Sequence, residues 1–231
     1  MYSRPFHYHR AKSLAEASAL LAQLGDGARV LAGGQSLIPL MKLRLASPTH
    51  LVDLNFIPKL SYVEKDSKTI RLGAMTRHTN IESSAVAQEI PILKDCAAGI
   101  ADVQVRNQGT RGGALAEADP SGDWGPVLLT LSTQVRAVGP QGERTIQLSD
   151  FFVDAYTTSL GPGELVREVV VEIPPKNSGG AYLAFKRCAP VYATASVAVQ
   201  LTLDDKNICR EARMALGCVG LTAIRPGEAE R

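Results

Sequence analysis

The chain has 231 residues, of which 45% are hydrophobic and 21% are charged, as expected for a folded protein with a substantial core. Its 25 Lys and Arg residues nearly balance its 23 Asp and Glu residues, and this net charge of +2 excludes strong electrostatic attraction to nucleic acids or acidic membranes. No run approaches the roughly 20 apolar residues that a membrane span needs, and the start of the chain has no apolar signal segment. We therefore expect a cytoplasmic protein without nucleic-acid partners.

Residues 1–55 predict alternating helices and strands. Ser13 and Glu16 form a capping box that begins a helix, and Gly25 ends it. The predicted elements that follow are a strand at 29–32, a turn at 33–36, a short helix at 37–43 and a strand at 50–54. The order α-β-α-β is therefore expected here.

Residues 56–177 predict a second mixed segment. Thr79 and Glu82 form a second capping box. Residues 102–123, rich in Gly, Asn, Gln and Asp, predict a long loop, and a loop of that length in a compact domain is usually functional. Strands are predicted at 60–63, 69–72, 135–138, 145–148 and 169–173, and helices at 92–101 and 127–131.

The last part of the chain predicts a small sheet. Residues 176–180 resemble a linker, and the strands expected after it are 181–185, 195–203 and 213–219. No helix remains in the sequence to cover a face of this sheet, so we expect partner chains or a longer native chain to cover it. The predicted domains are 1–55, 56–177 and 178–231.

The cysteines and histidines do not indicate a metal centre. No pair of cysteines has Cys-x-x-Cys spacing, and the four are Cys96, Cys188, Cys209 and Cys218. A zinc ribbon or an iron–sulfur cluster on this chain is therefore not expected. His7 and His9 would share one face of a strand, but no carboxylate or thiol lies at ligand spacing from them.

Two short segments carry the candidate chemistry, Ala32-Gly33-Gly34-Gln35-Ser36 and Thr110-Arg111-Gly112-Gly113-Ala114. Paired glycines let successive backbone N–H groups point into one concavity and let an anion approach without a Cβ in the way. Ser36 and Thr110 would add hydroxyl donors, and the helix from Leu37 would point its N-terminus at the same place. Two such segments could hold the two halves of one pyrophosphate. Either segment alone indicates a tight turn more strongly than a phosphate site, and neither matches G-x-G-x-x-G or the P-loop.

Both segments resemble the FAD-binding signatures of the medium subunit of molybdenum hydroxylases, the carbon monoxide dehydrogenase/xanthine dehydrogenase family. The first signature extends from Ala32 to Pro39 and the second from Asn107 to Pro120. Residues 183–187, followed by Ala193-Thr194-Ala195, resemble the start of the C-terminal domain of that family. The likeness covers essentially the whole chain.

This resemblance implies an α+β fold of the vanillyl-alcohol-oxidase (PCMH) type. Two α+β subdomains and a C-terminal three-stranded antiparallel domain, shortened by its helical half, would enclose FAD. The diphosphate would lie against residues 32–36 and 110–114, and Leu37 would be a further cofactor contact. Further cofactor contacts are implied at Asp123, Val166, Lys186 and Tyr192, with Ile100 also in the pocket. The ammonium of Lys186 would stabilise the negative charge that develops on flavin reduction.

Two residues depart from the family's pattern. Arg111 stands where an aliphatic residue is usual, and it would either reach the phosphates or be solvated. Glu117 replaces a common histidine.

Asp123 has alternative interpretations as a solvated loop acid or, with Asp119, as a metal ligand, although a metal needs more oxygens than these two supply. Trp124 is expected to pack in the core or an interface.

The resemblance implies electron transfer, with no catalytic acid, base or nucleophile and no metal site on this chain. A small subunit with [2Fe-2S] clusters would pass electrons from a molybdopterin-containing large subunit to FAD here, and FAD would pass them to an external acceptor. The expected assembly is a dimer of heterotrimers. Two alternatives stay open: a stand-alone FAD oxidoreductase of the same fold, and a non-catalytic scaffold subunit whose glycine segments are only turns.

Overall fold

A parallel three-stranded sheet forms the start of the computed structural model, which describes residues 2–231. Its strand order is β1-β3-β2. In chain order its elements are β1 (His7–Arg10), α1 (Leu14–Leu24), β2 (Ala28–Leu31), α2 (Leu37–Lys42) and β3 (His50–Asp53). The predicted order α-β-α-β lacked β1, because this short strand is mostly exposed and polar and has no apolar alternation.

Helix α1 begins and ends as predicted. The Ser13 hydroxyl accepts the backbone N–H of Glu16 at 3.1 Å, and Gly25 ends the helix with φ 58°. Apolar residues of α1 pack on the first sheet in a cluster that also includes Leu165 from the second sheet, so this cluster joins the two sheets.

The second sheet is antiparallel and five-stranded, in the order β4-β5-β10-β6-β7. Its strands are β4 (Val63–Lys65), β5 (Thr69–Gly73), β6 (Thr133–Gly139), β7 (Gly142–Gln147) and β10 (Leu165–Glu172), and a separate hairpin pairs β8 (Phe152–Asp154) with β9 (Thr157–Thr158). The helices between β5 and β6 are α3 (His78–Glu82), α4 (Ala85–Glu89), α5 (Pro91–Gly99), α6 (Val103–Gln108), α7 (Arg111–Glu117) and α8 (Trp124–Thr130). These helices cover the sheet and share with it the main apolar core.

Three local predictions in this segment are wrong. The strand predicted at 60–63 begins only at Val63. The capping box predicted at Thr79 does not form, because α3 begins two residues earlier, with Arg77 rather than Thr79 as its N-cap. The loop predicted at 102–123 contains α6 and α7, because side-chain caps stabilise two short helices in a sequence that is otherwise poor in helix formers.

The third sheet is antiparallel and consists of β11 (Ser178–Phe185), β12 (Ala195–Leu203) and β13 (Cys209–Gly217). The predicted linker at 176–180 is wrong from Ser178 onward, because these residues pair with β12. The expectation that no helix covers this sheet is also wrong: α5 and α8 pack on one face, where Tyr182 enters the main core. The opposite face exposes apolar side chains, including 70% of Leu183 and 74% of Phe185.

Each of these three sheets lies within one of the three predicted domains, whose bounds stay a prediction. Among residues 2–231, no helix has the length and apolar character to cross a bilayer. The PCMH-type α+β architecture is confirmed by likeness to solved structures, given below with the site.

Glu168 on β10 is a fully buried carboxylate with three side-chain partners. The Tyr62 hydroxyl donates to it at 2.5 Å, Arg71 Nε at 3.0 Å and Arg136 Nη1 at 2.8 Å. Burial by itself would raise the pKa of Glu168, but these hydrogen bonds and the two guanidinium charges outweigh it and lower the pKa below its usual value.

We expect Glu168→Gln to lower the free energy of unfolding at pH 7 by about 2 kcal/mol, because the substitution removes the charge that two guanidinium groups face. The pKa of Glu168 is lower in the folded than in the unfolded chain, where it is about 4.3. The stabilisation is therefore present above that value and is lost as the pH falls through the folded pKa. Urea denaturation at pH 7 and pH 3 measures both effects.

Glu143→Gln is the matched control, since the ion pair of Glu143 with Arg167 is exposed. It should leave stability nearly unchanged at both pH values. Equal losses in the two variants, or a loss in Glu168→Gln that does not shrink at pH 3, would contradict this account.

Candidate functional site

The structure brings the two glycine-containing segments into direct contact. Glycine segment 1 (residues 32–36) connects β2 to α2, and glycine segment 2 (residues 110–114) forms the N-cap and first turn of α7. A Cβ on Gly33 would lie 2.4 Å from the carbonyl oxygen of Gln108 and 2.9 Å from the backbone nitrogen of Thr110. Only a residue without a side chain permits this approach. The proximity that a shared diphosphate site requires is therefore present.

The two segments differ in the backbone N–H groups that they offer. In glycine segment 2, the N–H groups of Arg111, Gly112 and Gly113 already donate to protein oxygens at 3.0, 2.9 and 3.2 Å. Their acceptors are the carbonyls of Thr76 and Ala74 and the hydroxyl of Thr110. In glycine segment 1, the N–H groups of residues 33–35 donate to no protein oxygen among residues 2–231. Segment 1 therefore offers free donors, whereas segment 2 supplies mainly a close-fitting surface.

Local conformation explains the shape of glycine segment 1. Gly34 has φ 71°, a left-handed conformation that L side chains rarely adopt. The Gln35 side chain donates to the carbonyl of Gly33 at 3.0 Å and closes the turn. Ser36 is the N-cap of α2, but its hydroxyl makes no capping hydrogen bond, and Leu37 is half-buried behind it. Helix α2 has only six residues, so its dipole adds little to anion binding.

The Thr110 cap begins the helix in glycine segment 2, and close packing requires a glycine at position 112. A Cβ on Gly112 would lie 2.6 to 2.8 Å from atoms of Ala74, which directly follows β5. A Cβ on Gly113 would lie 3.6 Å from Cβ of Ala32, so the contact between the segments extends past Gly33. The half-buried Ala114 packs against the main core.

Arg111 is fully buried, so of its two expected roles solvation is wrong, whereas a contact with the phosphates stays a prediction. The carbon at the centre of its guanidinium lies 5.1 Å from the ring centre of Trp124. None of its three side-chain nitrogens has a hydrogen-bond partner among residues 2–231. Burial lowers the pKa of Arg111 to about 9. The core thus contains a cation without a counter-ion, at a position where the family resemblance implies an aliphatic residue.

Asp123 and Lys186, predicted from different segments, lie close together. The Lys186 ammonium is 3.6 Å from Oδ1 of Asp123, and both side chains are largely buried. The Tyr182 hydroxyl, which sequence reasoning missed, donates to the same Oδ1 at 2.7 Å, and Lys186 donates to the carbonyl of Gly99 at 2.6 Å. Burial and the neighbouring Asp123 carboxylate raise the pKa of Tyr182. Their contact with the cofactor stays a prediction.

The other residues predicted to contact the cofactor lie on separate elements, and that contact stays a prediction. Tyr192 is 63% exposed in the loop between β11 and β12. Val166 is buried in the main core, and Ile100 packs against that core at the end of α5. Burial raises the pKa of Glu117, which ends α7. Within residues 2–231, no group of three or more His, Cys, Asp or Glu side chains is placed to hold a metal ion.

Sequence reasoning also missed polar residues that surround the contact between the glycine segments. Asn55 follows β3 and donates to the carbonyl of Ala32 at 2.9 Å. Arg77 precedes α3 and donates to Asn55 at 2.7 Å and to the carbonyl of Gln108. Their position after a strand end and before a helix was the only available signal, and it is shared by many residues without function.

A family model described as the FAD binding domain in molybdopterin dehydrogenase matches residues 4–175. The chain is 44% identical to the alpha subunit of the 6-hydroxypseudooxynicotine dehydrogenase complex of Paenarthrobacter nicotinovorans, over 97% of this chain and 76% of that protein. It is 42% identical to the carbon monoxide dehydrogenase medium chain of Afipia carboxidovorans, over 97% of this chain and 78% of the relative. A structure of reconstituted CO dehydrogenase from Oligotropha carboxidovorans matches with a TM-score of 0.96 at 40% identity, covering 100% of this chain and 80% of that one.

We expect Arg111→Met to raise the free energy of unfolding by about 1 to 2 kcal/mol, because methionine fills a similar volume without burying an unpaired charge. Urea denaturation at pH 7 measures the change. Arg29→Met is the control, since Arg29 is exposed and its loss should have little effect. A less stable Arg111→Met variant would show that the guanidinium has a stabilising partner.

Proposed function

The chain belongs to the family of FAD-binding domains of molybdopterin dehydrogenases, and from this membership we propose that it is the electron-transfer subunit of a molybdenum hydroxylase. In this proposal it takes electrons from a [2Fe-2S] subunit and passes them to an external acceptor. Substrate oxidation takes place on a molybdopterin-containing large subunit. The complex is a dimer of heterotrimers in the cytoplasm.

The contact between the two glycine segments carries the proposal. A diphosphate needs N–H donors and a surface that lets its oxygens approach the backbone. The free N–H groups of residues 33–35 supply such donors, and the Ser36 hydroxyl adds one more. In segment 2, Gly113 approaches Ala32 of segment 1, and the Thr110 hydroxyl caps the turn that holds Gly113 there. These residues fit a dinucleotide, and none of them suggests acid–base chemistry.

Bound FAD supplies the capacity to accept and release electrons, and the chain supplies position and electrostatics. We assign Lys186 and Asp123 to the flavin end of the site, where Lys186 provides a positive charge that favours the reduced cofactor. Asp123 fixes the ammonium of Lys186, and Tyr182 fixes Asp123 through its hydroxyl. Leu37, Ile100, Val166 and Tyr192 are assigned as apolar and aromatic contacts, on the family resemblance.

The names of the relatives support a multi-subunit complex. One is a subunit of a dehydrogenase complex, and others are medium chains of carbon monoxide and glyceraldehyde dehydrogenases. These names cover several substrates, so a shared electron-transfer role fits the family better than a shared substrate does. The substrate is therefore a property of the large subunit in this proposal.

Purification of the chain, followed by anaerobic reduction of its flavin, tests the proposal. The chain should carry non-covalent flavin that acid releases as FAD, and it should purify together with iron–sulfur and molybdopterin subunits from its native host. Anaerobic addition of the substrate of the complex should then bleach the flavin absorption. A chain that binds no FAD would support the scaffold alternative, and a flavoprotein that oxidises a substrate without partners would support the stand-alone alternative.

We expect Gly33→Val to weaken FAD binding at least tenfold, because the Cβ would overlap the carbonyl of Gln108 and push the glycine segments apart. Flavin fluorescence during titration of the FAD-free chain measures the dissociation constant. Gly179→Val is the matched control, since a Cβ at this strand position meets no atom within 4 Å. Unchanged affinity in Gly33→Val would argue against a cofactor site at this contact.

A further inference from the structure

We propose that Arg77 and Asn55 together are positioning residues for FAD: their side chains form a bridge that holds the two glycine segments at the spacing the diphosphate needs. This inference rests on the proposed function and extends it to two residues that lie outside both glycine segments in the sequence. It starts from hydrogen bonds that surround the contact at Gly33.

One end of the bridge lies beside glycine segment 2. Arg77 is the half-buried N-cap of α3, and its Nη1 donates to the carbonyl of Gln108. The oxygen of that carbonyl is the atom nearest to the Cβ position of Gly33. The second guanidinium nitrogen, Nη2, donates to Oδ1 of Asn55 at 2.7 Å. The planar fork of the guanidinium can hold both acceptors at fixed directions, which an ammonium cannot.

The other end of the bridge lies in glycine segment 1. Asn55 Nδ2 donates to the carbonyl of Ala32 at 2.9 Å and to Oδ1 of Asp53 at 2.7 Å. The backbone N–H of Asn55 donates to the same carboxylate oxygen at 2.8 Å. Asp53 is buried at the end of β3, so it fixes the amide of Asn55. A continuous set of hydrogen bonds therefore runs from the carbonyl of Ala32 to that of Gln108.

Stability of the fold does not by itself explain this bridge. Asn55 is exposed, so water could satisfy the Ala32 carbonyl at little cost. Among residues 2–231, no carboxylate lies within salt-bridge distance of Arg77; burial lowers the pKa of its guanidinium, and the negative charge of Asp53 offsets only part of that effect. The Arg77 guanidinium thus loses hydration without gaining a salt bridge, so its placement is better explained by the geometry that its hydrogen bonds fix than by a gain in stability. That geometry is the distance between the two glycine segments.

Three variants separate the effect of the bridge from the effect of the charge. Arg77→Lys and Asn55→Ala break the bridge but keep a positive charge at position 77. Arg77→Ala removes the bridge and the charge together. We expect each to weaken FAD binding about tenfold in fluorescence titrations of the FAD-free chain, the loss associated with a hydrogen bond to a charged group. The double variant Arg77→Ala/Asn55→Ala should bind no more weakly than Arg77→Ala, because both substitutions break one bridge. Arg29→Ala is the control, since Arg29 donates only to carbonyls outside both segments.

Thermal unfolding of the FAD-free variants is measured in parallel. A midpoint close to that of wild type, together with the weaker FAD binding, supports positioning. Wild-type affinity in Arg77→Lys or Asn55→Ala, or additive losses in the double variant, would overturn the proposal. Loss of affinity only in variants that unfold at the titration temperature would also overturn it. Absence of FAD binding by the wild-type chain would instead refute the proposed function.

Discussion

At Gly33 two segments that are far apart in the sequence meet backbone to backbone, at a distance that any side chain would prevent. The first sheet supplies one segment at the carboxyl end of β2, and the helices that cover the second sheet supply the other at the start of α7. The apolar cluster that includes Leu165 joins these two parts of the chain. The geometry of the candidate cofactor site thus depends on how closely the first sheet is held against the helices that cover the second sheet.

Charges inside the protein follow two different patterns. The buried carboxylate of Glu168 has a hydroxyl and two guanidinium groups around it, which is how buried charges are usually stabilised. Arg111 has no such partners, although it lies in the same helix as the glycines of segment 2. Burial of the unpaired Arg111 guanidinium therefore destabilises the fold next to the candidate site. The family resemblance implies an aliphatic residue at this position.

Much of the architecture could be predicted from the sequence, because capping residues, β-branched runs and turn residues act locally. Ser13 and Gly25 set the bounds of α1, for example. What could not be predicted depends on tertiary contacts. Helix α7 contains two glycines, and a glycine is required at position 112 because Ala74 packs against it. The local sequence around Gly112 does not predict this contact. Likewise, the glycine motifs identified the candidate site, whereas Asn55 and Arg77 carry no motif and are found only from their hydrogen bonds.

A crystal structure of the chain with bound FAD tests the central claim most directly. The account predicts that the diphosphate lies against both glycine segments and that its oxygens accept hydrogen bonds from the backbone N–H groups of residues 33–35. It also predicts that Gly33 keeps its contact with the backbone of Gln108. A diphosphate that contacts only one segment, or that lies elsewhere on the chain, would contradict the account.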